Sequence, residues 1–239
     1  MTPAYQEAET YFAELWHKGQ QRWLAGDVTA AAMRDGATIP VDYCLSTVAF
    51  VNQQNDAARI AVEEVRRRLM AVAPQQFYYL PESTHITLLG CTQRHPTPDV
   101  FTVDRIAAVR RVVAAVLQNQ APVEMQLKGV GVLGNQVFMP VYPLDRRWAL
   151  LRERLDQALQ STGEQPLSHA NKAPIHMNIM RVTATAPSQL QAILGTVAAM
   201  QQQRWSKFTV SAVDYVLTDF VISPVHTQHQ AQFILAGGE

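Results

Sequence analysis

The chain has 239 residues, 48% of them hydrophobic and 17% charged, with 20 Lys plus Arg balanced by 20 Asp plus Glu. That length and apolar content can bury a real core and exclude a disordered chain, and the neutral balance speaks against duplex DNA as a partner. No apolar run is long enough to span a membrane, MTPAYQEAETYFAELW lacks a basic-then-apolar signal pattern, and Cys44 and Cys91 are too few for a disulfide framework. The expectation is a soluble cytoplasmic monomer with reduced thiols.

Residues 3–25 read as a helix with Tyr5, Ala8, Phe12, Leu15 and Trp16 on one side. Residues 26–40 end at Pro40, which sets a boundary between an extension, 1–40, and a domain, 41–239. VDYCLSTVAFV, residues 41–51, is rich in β-branched and aromatic residues and reads as a buried strand. A helix follows over 57–72, with Val62, Val65, Leu69 and Val72 on one face and Arg66, Arg67 and Arg68 largely on the other. A short strand is expected at 77–80, a clear one at 85–91, and a helix at 101–118 carrying Ile106, Val109, Val113 and Val116. Residues 123–128 and 136–142 read as a hairpin around the Gly-rich GVGVLGN. The second half repeats this rhythm: helix 145–159, polar loop 161–174, strand 175–182, helix 188–200, strands 207–217 and 218–222, and a further strand at 231–235. Helices and strands mix without strict βαβ alternation, which favours α+β.

Two strands each open with a histidine: His85-Ile86-Thr87-Leu88 and His176-Met177-Asn178-Ile179. With a side-chain period of two, His85 and Thr87 share one face, as do His176 and Asn178, while the apolar residues point the other way. If the strands lie side by side, two imidazoles and two neutral hydrogen-bonding groups converge. That set suits phosphoryl chemistry without a metal or other cofactor: one imidazole takes a proton, the other gives one, and Thr and Asn donate to phosphate oxygens.

These motifs resemble those of the 2H phosphoesterase superfamily, marked by two His-x-Thr/Ser-x strands. HITL matches fully; HMNI departs at Asn178, where Thr or Ser is usual. The resemblance covers roughly residues 41–235 and implies a bilobal, pseudo-twofold α+β fold, with antiparallel sheets lining a central cleft and helices outside. It implies a metal-independent phosphodiesterase acting on a cyclic phosphate or a short nucleotide, with His85 and His176 as the acid–base pair and Thr87 and Asn178 on the phosphate. The implied partner is a nucleotide or RNA end. A non-catalytic nucleotide- or RNA-binding module on the same fold is the alternative, and a protein-interaction domain with structural histidines a further one.

Other residues are candidates of lesser weight. Tyr142 is a candidate to stack on a base, and Tyr78, Tyr79 and Phe138 lie on neighbouring runs. Lys172 and His169, just before the second motif, could neutralise a phosphate, as could Lys128. Arg181, an odd number of steps from His176, should face away from the site. His226 and His229 form H-x-x-H, but in a loop with no acidic neighbour in the sequence, so no metal is expected there. The apolar stripe of residues 3–25 is expected to pack on the outside of one lobe, away from the histidines.

Overall fold

A computed structural model describes residues 2–34, 36–51, 56–167 and 175–237. In chain order the elements are α1 (Pro3–Leu24), β1 (Met33–Arg34), β2 (Ala37–Thr38), β3 (Tyr43–Phe50), α2 (Asp56–Val72), β4 (Phe77–Tyr78), β5 (His85–Gly90), α3 (Val103–Leu117), β6 (Val123–Lys128), β7 (Gly131–Leu133), β8 (Gln136–Pro143), α4 (Arg147–Ser161), β9 (His176–Arg181), α5 (Pro187–Met200), β10 (Arg204–Val210), β11 (Ala212–Asp219) and β12 (Gln228–Ile234).

Two antiparallel sheets carry the fold. One lobe has the order β12-β11-β3-β5; the other has β10-β6-β8-β9-β4, with β7 also on β8. The two orders correspond strand for strand from the outer edge to the histidine strand. β5 forms an edge of the first sheet, β9 has only the two-residue β4 beyond it, and β5 and β9 approach one another. Helices α2 to α5 pack on the outer faces. The Tyr215 hydroxyl donates to the Ile106 carbonyl of α3 behind the first sheet, and α2 and α5 pack behind the second. One hydrophobic cluster runs through both lobes, from Leu45, Ile86 and Leu88 to Met125, Met139 and Met177.

Most elements lie where the hydrophobic pattern places them. The strand expected over 207–217 is instead two, interrupted at Ser211, where the chain passes from the second sheet to the first. Of the strand expected at 218–222 only Thr218 and Asp219 are extended, as the end of β11; the chain then turns, and the Asp219 carboxylate accepts from the backbone N–H and hydroxyl of Ser223. GVGVLGN contains β7, which folds back on β8 through a turn at Gly134, where φ is +55°.

Candidate active site

The two motif strands are built alike. Thr87 pairs with Val48 and His85 with Phe50, while Asn178 pairs with Phe138 and His176 with Pro140. Each strand slips register just after its Thr or Asn, because Leu88 and Ile179 are extra residues relative to the neighbouring strand. Both strands show the same burial sequence: half-buried at the histidine and at the Thr or Asn, buried elsewhere. The second motif therefore has the same local construction as the first, despite Asn178.

His85 opens β5, the strand that approaches β9. Its Nδ1 is 2.7 Å from the Ser83 carbonyl. A carbonyl only accepts, so Nδ1 carries the hydrogen and, in the neutral ring, Nε2 carries the lone pair. Burial pushes its pKa down to about 4; the hydrogen bond to Ser83 opposes this, and the nearby His176 imidazole adds to the lowering. A charge on one ring thus disfavours a charge on the other, so the pair is suited to holding one proton. The His176 ring meets Phe138 edge-on at 5.5 Å, and His85 meets Phe50 at 6.4 Å.

The Asn178 Oδ1 is buried and has no hydrogen-bond partner among the described residues. Behind the first strand, Arg152 of α4 donates from Nε to the Leu88 carbonyl and from Nη2 to the Thr87 carbonyl, both at 2.8 Å. It grips the extra residue that turns Thr87 toward the cleft. In the second strand the Ile179 carbonyl accepts from the Tyr79 backbone N–H at 3.1 Å.

Arg181 is on the site face, not turned away. The extra residue Ile179 resets the alternation, so Gln136, Phe138 and Pro140 on one face of β8 oppose Arg181, Asn178 and His176. Its Nε donates to the Tyr79 hydroxyl at 2.8 Å and its Nη1 to Asn135 Oδ1 at 3.3 Å. The guanidinium lies 4.7 Å from the ring centre of Phe220, which reaches over from the first lobe with Arg94 on it at 3.9 Å. Arg181 is only 3% exposed, and its Nη2 is buried with no partner among the described residues. Sequence reasoning missed it because an unbroken period was assumed.

The remaining candidates fall elsewhere. Tyr142 shares the cleft face of β8 but is buried, its ring stacked on Tyr5 of α1 at 4.8 Å. Contrary to expectation, then, α1 packs on the cleft side of the second lobe: its stripe meets Phe138 and Tyr142, the apolar residues that the outer helices leave uncovered. Lys128 pairs with Glu9 of α1. Tyr79 is buried against Arg181, and the Tyr78 hydroxyl donates to the Ala73 carbonyl. Lys172 and His169 lie outside the described residues. His226 turns its Nδ1 to the Tyr43 hydroxyl at 3.0 Å, whereas His229 lies 3.6 Å from Asp214, an acidic neighbour supplied by β11 rather than by the local sequence. Among the described residues no three His, Cys, Asp or Glu groups gather as a metal site would need, and no helix is long and apolar enough to cross a membrane.

Comparisons with known proteins agree with this fold. No curated protein matches the sequence significantly. Among solved structures, the chain is similar to ATU0111 of Agrobacterium tumefaciens str. C58, described as a conserved protein of unknown function. That match has a TM-score of 0.58 at 10% identity, over 90% of this chain and 99% of that one. It is similar to TT0787 of Thermus thermophilus, with a TM-score of 0.55 at 17% identity over 82% of this chain and 100% of the other. It is also similar to E. coli LigT complexed with NADP+, with a TM-score of 0.50 at 11% identity over 82% and 98%. The family profile described as the 2'-5' RNA ligase superfamily matches residues 53–219, well over half of the sequence, and the chain belongs to that superfamily.

Proposed function

We propose that the protein is a phosphodiesterase that hydrolyses a small nucleotide phosphodiester, with a nucleoside 2',3'-cyclic phosphate as the simplest substrate. The observation that carries this reading is the pair of matched strands, which bring an imidazole and a neutral hydrogen-bonding side chain from each lobe to one cleft. His85 is assigned as the base. Its Nδ1–H is held by Ser83, its Nε2 lone pair is free for a proton, and burial keeps the ring neutral at physiological pH. Water attacks phosphorus and gives its proton to His85. The bond from phosphorus to the leaving ribose oxygen breaks, and His176 supplies that oxygen with a proton. Thr87 and the Asn178 amide donate to the non-bridging oxygens, and Arg181, buried on the strand that carries His176 and Asn178, adds a positive charge behind them. LigT, a structural neighbour, is described in complex with a nucleotide, NADP+, which supports a nucleotide as the class of ligand.

The test is turnover of nucleoside 2',3'-cyclic phosphates in the presence of a chelator. His85→Ala and His176→Ala should each lower kcat by roughly a hundredfold or more while the fold survives. Near-normal turnover in either variant would remove the acid–base assignment. The Oδ1 of Asn178, which has no partner among the described residues and stands where the family has Thr or Ser, favours one second reading, a nucleotide-binding lobe without catalysis. Binding of nucleotides without turnover by the unaltered protein would select it.

A further inference from the structure

The site face of the second lobe is covered by α1. On the second lobe, Tyr5 stacks on Tyr142, and Phe12 packs against Phe138 and Tyr142 with ring centres 6.0 and 5.3 Å apart. Phe138 in turn touches His176, so α1 reaches to within two rings of the catalytic pair. The helix is docked closely: a Cβ on Gly19 would lie 2.0 Å from the Val132 carbonyl oxygen, and the Trp23 indole donates to the Gly134 carbonyl at 2.8 Å. The cation of this wall, Lys128, is paired with Glu9, and its side chain is only 13% exposed. On the first lobe the Phe50 ring is itself buried with Val48, Val216 and Ile222, and meets the rings of His85 and, at 5.4 Å, His229.

A nucleic-acid strand is held by aromatic faces on which bases stack and by cations that follow its phosphates. On the second lobe α1 removes both: it covers Phe138 and Tyr142 and neutralises Lys128. The space left beneath it is a cavity of about 250 Å³ beside Phe12, Trp16 and Phe138, large enough for a ring but not for a strand. We propose that α1 is a specificity wall that restricts the site to a phosphate ester carrying one nucleoside. By covering the second lobe, α1 excludes oligonucleotides, whose preceding residues would have to cross it.

This inference rests on the phosphodiesterase reading, so it is tested by binding, which does not require turnover. The dissociation constants of a nucleoside 3'-phosphate and of a tetranucleotide ending in the same 3'-phosphate are compared. The intact protein should favour the mononucleotide. Replacing Tyr5 and Phe12 together by Ala should improve tetranucleotide binding by about tenfold, the worth of a base regaining an aromatic face, with little change for the mononucleotide. Glu9→Gln, a milder change that frees Lys128, should move the tetranucleotide in the same direction and make its binding more salt-dependent. Equal binding of the two ligands by the intact protein overturns the proposal, as does an unchanged ratio in Glu9→Gln. Failure of the phosphodiesterase reading shows separately, as no turnover of the cyclic mononucleotide.

Discussion

At the scale of single residues, the pair of histidines is defined by what surrounds His85. Its folded pKa is about 4 against an ordinary 6.5, because the buried ring resists charge. Between those values the unfolded chain binds the proton and the folded chain does not, so this group's contribution makes stability rise with pH across that window and level off outside it. Urea midpoints should therefore fall as pH drops from 6.5 toward 4, and His85→Asn should flatten that fall; an unchanged slope would mean the ring is not held neutral. As a base, His85 should also place the acid limb of kcat/KM near 4 rather than 6.5. Asn178 carries a second prediction. Its Oδ1, buried and without a partner among the described residues, is a liability of roughly 1–3 kcal/mol, so Asn178→Thr should raise the melting temperature and retain measurable activity. Asn178→Ala should lose about 1.5–3 kcal/mol of transition-state stabilisation, and Asn178→Asp more, since a carboxylate repels the phosphate. Should Asp match Asn in kcat/KM, the residue does not face the phosphate. His85, Thr87, His176 and Asn178 were legible in the sequence because two of them in each strand obey a period of two. Arg181 was not, because one extra residue reverses the period and leaves no trace in composition.

At the scale of elements, the register slip in each motif strand does the positioning. An extra residue twists the strand locally and re-aims the side chains beside it. In β5 that residue depends on Arg152, whose guanidinium serves two backbone carbonyls and whose pKa burial lowers to about 10. Arg152→Met should leave both carbonyls without this donor, at a cost of roughly 1–3 kcal/mol each. Thr87 would lose its fixed direction with them. Arg152→Lys keeps the charge but cannot span both acceptors in one plane, so it should recover stability more than kcat. Equal kcat in wild type and Met would show that the slip holds itself. Amphipathic helices and alternating strands were readable along the chain because burial on one face imposes their periods. The docking of α1 was not: the stripe of Tyr5, Phe12 and Leu15 demands an apolar partner but does not say which face of which sheet supplies it. The Gly at position 19 was equally silent, since its close approach to Val132 exists only after docking.

At the scale of the whole molecule, the two lobes are legible as a repeat yet are not separable pieces of chain. α2 follows β3 of the first sheet but packs behind the second, against β10 and β9. α4 follows β8 of the second sheet but packs behind the first, against β5. β4 precedes the first motif and pairs with the second motif strand, while the backbone at Leu167, before the second motif, donates to Gly90 at the end of the first. The last strands split as well, β10 completing one sheet and β11 and β12 the other. Neither sheet buries its outer face with helices from its own half alone, and the hydrophobic cluster is continuous through both. Unfolding should therefore be a single cooperative transition. Trp148 lies buried on α4 behind the first sheet and Trp205 lies on β10 of the second, so the two indoles report on opposite lobes. In denaturant titrations of single-tryptophan variants, their fluorescence transitions should coincide with each other and with the loss of far-ultraviolet circular dichroism. A chain ending after α3, which lacks β11 and β12, should fail to give a folded first lobe, because β3 would lose its partner on one side. Separated midpoints for Trp148 and Trp205 would show that the lobes stand alone and that the crossed helices add little; coincident midpoints tie the geometry of both histidines to one folding event.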